Sequence, residues 1–197
     1  MICCIRTKIW GGLSLLAVFS FISASCSPAL AGNDNVRKLT DDTIKAFIQD
    51  TSHMTKPRGE FLSPDAIRAY LDTHLSEDAR FVSTITYNLP NMPPQTTSIS
   101  LDKAKFIETV NQGTESIEGY DNTVKITDIE INWWGNQAHV KTENIETGFM
   151  PIPTENGGTG ESMPIKGHSF CAQTLALNDG VIQIGNAICK TELTFSE

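Results

Sequence analysis

The stretch Gly167–Thr194 constrains this chain more than any other. It reads GHSFCAQTLAL, then NDG, then VIQIGNAICKTELT. Two runs with alternating apolar residues flank an Asn-Asp-Gly turn, whose residue types give the backbone freedom a tight antiparallel reversal needs. With Asn178–Gly180 as the loop, Phe170, Ala172, Thr174 and Ala176 come opposite Ile188, Asn186, Ile184 and Ile182. The expectation is a hairpin with one buried face, interrupted by a single polar residue, Asn186. Each strand also carries one cysteine, Cys171 and Cys189. Simple pairing sets Cys171 opposite Ala187 and leaves Cys189 a diagonal step away. A bulge near Gly185 brings the two cysteines towards opposition, and glycine within a strand often marks one.

The N-terminal segment bears on whether those cysteines pair. Arg6 and Lys8 precede an apolar run from Leu13 to Ala24, and Ala29-Leu30-Ala31 closes the segment. A basic region, an apolar region and small residues at a cleavage point are the parts of a secretory signal peptide. The run is shorter than the roughly 20 residues of a membrane span and is diluted by glycine and serine. Cleavage after Ala31 and export, to the periplasm of a bacterial envelope, are expected. An uncleaved anchor is one alternative. Lipidation at Cys26 is another, although Ser23-Ala24-Ser25 lacks the large aliphatic residue of lipoprotein signals. Cys3, Cys4 and Cys26 leave with the segment, so Cys171 and Cys189 remain as a pair in an oxidising compartment. A disulfide closing that loop stabilises by about 3 kcal/mol on the chain-entropy argument.

Cleavage removes Arg6, Lys8 and no acid, so a net charge of −8 becomes −10. Such a surface repels phosphate backbones and anionic lipid heads, and no basic run offsets it, which argues against nucleic acid as a partner.

What remains suits one domain, residues 40–197, after a polar N-terminus at 32–39. A first helix starts at Thr40, which can cap it, with Asp41 and Asp42 at the positive end of the dipole. Ile44, Phe47, Ile48 and Thr51 form its inward stripe. Ser63 caps a second helix with Pro64 at its first position and Ile67, Tyr70, Leu71 and Leu75 on one face. Ala79, Phe81, Ser83, Ile85 and Tyr87 then alternate as a strand, and Leu89–Pro94 ends it. A third helix is expected from Ser100 through Ala104, Ile107 and Val110 to Gly113. Two strands follow, Asn122–Trp133 and Gln137–Phe149, with Ala138, Val140 and Thr142 alternating in the second. Residues 150–166, rich in Gly and Pro, read as a mobile loop before the closing hairpin. Helices segregated from a run of antiparallel strands define the α+β class.

Two stretches, VKITDIEINWWGNQAHVKTE and TLALNDGVIQI, resemble the nuclear transport factor 2-like (SnoaL-like) superfamily. The resemblance covers Thr40–Thr194. It implies three helices on a strongly curved antiparallel sheet that forms a cone around an internal pocket. Val181 and Ile182 stand where that family usually has a large aromatic after the turn. The superfamily hosts isomerases, dehydratases, hydrolases and binding domains alike, so it implies no single activity.

Candidate site residues are polar groups on faces expected to be buried. Asn186, His168, Tyr87 and Thr174 are the candidates for ligand binding; Tyr120 and Tyr70 are further phenols. A buried amide must be hydrogen-bonded, so Asn186 either anchors a ligand or satisfies a backbone group. Asp128 and Glu130 alternate with Ile129 and Ile131, as on a strand with one wet face. His139 falls out of phase with Ala138 and Val140, while His53 and His74 lie near helix ends. Trp133 and Trp134 are expected to face opposite ways, one in the core and one exposed. No metal-ligand spacing, nucleotide fingerprint or Ser/His/Asp arrangement occurs, and no cofactor is implied.

The sequence favours an exported, non-catalytic domain binding a small apolar molecule or a protein partner. The alternatives are an isomerase, dehydratase or lyase using polar groups in the cone, and a subunit of an envelope assembly. A homodimer through the open sheet face suits all three. An acid or histidine hydrogen-bonded to a tyrosine inside the cone would favour the enzyme; an all-apolar lining would favour binding.

Overall fold

The computed structural model describes residues 36–51, 55–56, 60–61, 63–114, 117–153 and 159–196. The expected signal segment with its expected cleavage point, and Cys26, lie outside them, as does His53. The helices follow from their caps. Helix α1 (Asp41–Thr51) begins after Thr40, whose hydroxyl accepts from the Thr43 amide at 3.2 Å, and it buries Ile44, Phe47, Ile48 and Thr51. After two-residue strands β1 (Thr55–Lys56) and β2 (Glu60–Phe61), helix α2 (Pro64–His74) starts at Ser63, which accepts from Ala66 at 3.3 Å. It buries Ile67, Tyr70 and Leu71.

The remaining elements are β3 (Leu75–Asn88), β4 (Gln95–Asp102), α3 (Lys103–Thr114), β5 (Glu118–Ile131), β6 (Gln137–Pro153), β7 (Thr159–Asn178) and β8 (Val181–Phe195). Strands β3 to β8 form one sheet in the order β4-β3-β8-β7-β6-β5. All neighbours are antiparallel except β3 and β8, which run parallel. The fold is α+β, with three helices against an open, mostly antiparallel sheet. Among the described residues no helix is long and apolar enough to cross a membrane.

One face of the sheet, here the inner face, packs against the helices. Ala79 and Phe81 of β3, Ala138 and Val140 of β6, Cys171 and Leu175 of β7 and Ala187 and Cys189 of β8 join the helical residues in the main core. Phe81 and Phe106 of α3 stack at its centre, 3.8 Å between ring centroids. A second cluster, with Ile85, Tyr87, Ile117, Tyr120, Ile165, Leu193 and Phe195, lies further along the same strands.

The closing hairpin departs from the expected register. The turn has two central residues, Asp179 (φ 48°) and Gly180 (φ 83°), with Asn178 paired to Val181. Both need positive φ, which suits Asp-Gly in a tight hairpin. Ile182 therefore faces Leu177, not Ala176, and Ile184 faces Leu175. A bulge at Gly185 then leaves Asn186 opposite Thr174 and Cys189 directly opposite Cys171, and the two cysteines are disulfide-bonded. Because side chains alternate with period two, one inserted residue exchanges the faces. Ile182 and Ile184 are buried before the bulge, Ala187 and Cys189 after it, and Phe170, Ala172, Asn186 and Ile188 are exposed on the outer face.

Three further expectations are corrected. Residues 95–102 form β4, a half-exposed strand beside β3, so Ser100 caps nothing; Asp102 caps α3 by accepting from Lys105 at 2.9 Å. Most of 150–166 is strand, with Met150 paired to Met163 and Pro151 to Ser162, and residues 154–158 lie outside those described. Trp133 and Trp134 are both exposed, at 89% and 77%, because β5 ends at Ile131 and they occupy the turn.

Candidate functional site

The inner face is not uniformly apolar. Between its two clusters the cross-strand rows turn polar. One row runs Ser83, Cys189, Cys171, Thr142 across β3, β8, β7 and β6; the next runs Ile85, Thr191, Ser169, Asn144; the next runs Tyr87, Leu193, Gly167, Glu146. Ser83, Thr142, Asn144, Glu146, Ser169, Gln173 and Thr191 are each at most 2% exposed. Directly paired residues on one face lie about 5 Å apart, so these side chains form one patch.

Glu146 is the only carboxylate among the buried residues described. The Tyr120 hydroxyl, on neighbouring β5, donates to its Oε1 at 3.2 Å. Gly167 makes room for the carboxylate: a Cβ there would stand 3.0 Å from Glu146 Oε2 and 3.3 Å from Leu193. Burial raises the Tyr120 pKa well above its ordinary value, and the Glu146 charge, the hydrogen bond to it and the Asp121 charge add to this. Tyr120 therefore stays protonated, and a donor, throughout the neutral range. A cavity of ≈ 10 Å³, room for about one water, adjoins the pair between Ile117, Ile165, Gly148 and Gly167.

Ser169 and Thr191 hydroxyls pair at 3.0 Å. By contrast, Ser83 Oγ, Thr142 Oγ1 and both amide atoms of Gln173 are buried with no hydrogen-bond partner among the described residues. Leaving such groups unpaired costs about 1–3 kcal/mol each, so each is a position where an ordered water or a ligand atom can hydrogen-bond.

Of the four sequence candidates for ligand binding, the structure places only Tyr87 on the inner face, in the second cluster. Asn186 is exposed on the outer face, across from Thr174. Thr174 lies there beside His139, 3.4 Å from its Nδ1. His168 is also on the outer face, its Nε2 2.9 Å from Glu143 and its ring against Phe170. Asp128 is half-buried and ion-paired to exposed Lys141 at 2.7 Å; the hydrogen bond from Lys141, then its charge, holds the carboxyl below its usual range. Tyr70 packs on His74, whose Nδ1 meets the Ile182 carbonyl at 2.8 Å.

Sequence reasoning missed Glu146, Asn144, Ser169, Gln173 and Thr191. For two of them a signal was present. The alternation Ala138, Val140, Thr142, carried two steps further, reaches Asn144 and Glu146. A second, open depression of ≈ 470 Å³ between α2 and α3 is lined by Arg68, Asp72, Glu77, Asp102 and Lys103. Lys103 is already engaged there by Glu77 and the Asp72 carbonyl. Among the described residues no group of three or more His, Cys, Asp or Glu could hold a metal ion.

No protein-family model and no curated protein sequence matches the chain. Solved structures similar to it include a type 2 hexachlorocyclohexane dehydrochlorinase, at 8% identity and TM-score 0.43 over 66% of this chain and 76% of that one. An NTF-2 like protein of unknown function from Silicibacter pomeroyi is 13% identical, TM-score 0.35, over 66% and 81%. A putative scytalone dehydratase from Novosphingobium aromaticivorans is 14% identical, TM-score 0.37, over 68% and 72%. At these identities and TM-scores none of them lends this chain an activity.

Proposed function

We propose that this chain is an exported acid–base enzyme of the isomerase, dehydratase or lyase type, working on a small molecule at its inner face. The observation that carries the reading is the buried Glu146 carboxylate, hydrogen-bonded by Tyr120 at the edge of a patch of uncharged donors and acceptors. A general base must be held in position within reach of the proton it takes, and the hydrogen bond from Tyr120 holds the buried carboxylate in one place. Glu146 takes a proton from a carbon next to a carbonyl, or from the carbon adjoining the one that bears a leaving group. The same proton then returns to a second carbon, completing an isomerisation, or stays on Glu146 while the leaving group departs with the electron pair. Tyr120 fixes the carboxylate, and Ser169, one cross-strand row along on neighbouring β7, offers a hydroxyl to the oxygen on which charge develops.

A second reading, binding of a small molecule without chemistry, is favoured by the rest of the patch, where Ser83, Thr142 and Gln173 can hydrogen-bond but hold no acid or base; under either reading the walls of the ≈ 10 Å³ cavity beside Glu146 must move to admit a molecule. The two separate in deuterated water. The enzyme exchanges α-protons of at least one member of a panel of small linear and cyclic ketones, followed by proton NMR. Glu146→Gln slows that exchange by about 100-fold or more, the range for a lost general base. Saturable binding without exchange supports the second reading, and exchange undiminished in Glu146→Gln overturns the role of Glu146.

A further inference from the structure

We propose that the turn carrying Trp133 and Trp134 is a bilayer-contact tip, seating both indoles at the headgroup level of a phospholipid membrane. Large aromatic side chains are costly to expose, and these two are 89% and 77% exposed, side by side in sequence. The turn that presents them is held firmly. The Asn132 side chain accepts from the amides of Asn136 at 3.1 Å and Gln137 at 3.2 Å, and donates to Asn136 Oδ1 at 2.7 Å. Gly135 takes φ 68° and donates to the Asn132 carbonyl at 3.0 Å. A rigid platform of this kind loses little freedom when it docks. Indole, with an apolar body and one N–H, concentrates where hydrocarbon meets water.

The second observation is where the N-terminal chain joins the domain. Leu39 donates to the Gly135 carbonyl at 2.6 Å and Val36 to the Gly180 carbonyl at 3.1 Å, so the chain enters at this same end. Lys38 lies across Gly135, where a Cβ would collide with it. Arg37 and Lys38 are both exposed, so the segment joining at this end adds two cations to it. The apolar run Leu13–Ala24 ends only 12 residues before Val36. A leader engaged with a membrane, whether later cut or kept, therefore brings this tip, and not the opposite end of the sheet, to the bilayer. The proposal does not depend on Glu146 or on any chemistry at the inner face.

The test uses the full chain carrying Trp10→Phe, which leaves Trp133 and Trp134 as its only tryptophans. It is reconstituted with vesicles of phosphatidylethanolamine and phosphatidylglycerol. The expected result is a blue-shifted emission, a severalfold fall in iodide quenching, and quenching by phospholipids brominated near the headgroup. Lengthening the tether with a Gly-Ser segment between Ala31 and Gly32 leaves all three unchanged if the tip has its own affinity for the surface. Emission that stays water-like with vesicles overturns the proposal and leaves the indoles to a protein partner. Contact that vanishes with the longer tether also overturns it, because the membrane was then approached only by force of attachment.

Discussion

The two faces of one sheet carry side chains that contradict their settings. The inner face buries Thr142, Asn144, Glu146, Ser169 and Gln173, whereas the outer face exposes Phe170 at 53% and Ile188 at 61%. On a sheet covered on one side, strand phase decides which side chain is buried, and polarity merely correlates with it. Where the two disagree, there is something to explain. Inside, polar groups held out of water form the candidate site. Outside, Val82, Ile145, Phe170 and Ile188 leave apolar side chains facing water.

The sharpest contrast between the faces comes from the inner disulfide. Replacing Cys171 and Cys189 with alanine lowers unfolding free energy by about 2–4 kcal/mol, measured by denaturant titration. A loss below this range would mean that packing, not the cross-link, holds β7 to β8. Next in size, Gly167→Ala presses a methyl against the Glu146 carboxylate and Leu193. It costs about 1–3 kcal/mol, the range for overpacking, and reduces any activity of the site. Full stability with full activity would show that the carboxylate does not need the space Gly167 leaves.

Tyr120 makes the inner face sensitive to alkali. Its folded pKa lies above its unfolded value near 10, so above that pH the unfolded chain releases a proton that the folded chain retains. The contribution is complete below about pH 10 and is lost as pH rises further. Tyr120→Phe flattens this part of the stability–pH curve, read from melting temperature between neutral and strongly alkaline buffer. Smaller still, Thr142→Val removes a buried hydroxyl without a protein partner and raises stability by up to about 1 kcal/mol, while weakening ligand binding. Asn186→Leu on the outer face should shift stability by no more than about 0.5 kcal/mol.

Much of the fold is written locally. Ser63 and Pro64 announce α2, Thr40 announces α1, and Ala79 to Tyr87 keep one phase through β3. Gly185 marked the bulge that aligns the cysteines. Its effect on the neighbours is not local: whether Asn186 or Ala187 faces inward depends on where the turn closes, and that rests on positive φ at Asp179 and Gly180. The Glu146–Tyr120 pair was less legible. Tyr120 and Glu146 are 26 positions apart, and the register of β5 on β6 shifts between Glu118 and Asp121 and again between Ile126 and Asp128. Strand β4 escaped notice because it has a single neighbour in the sheet and its Ile99 and Leu101 are only half-buried.

The central claim is that the polar patch of the inner face, not the outer face, is where this protein meets a small molecule. Saturation-transfer NMR of one panel of small polar and apolar compounds against wild type, Glu146→Gln and Asn186→Leu, all checked for native melting, tests it most directly. The account predicts compounds that bind wild type and Asn186→Leu equally and lose their signal with Glu146→Gln. Binding that survives in Glu146→Gln and disappears in Asn186→Leu would contradict it.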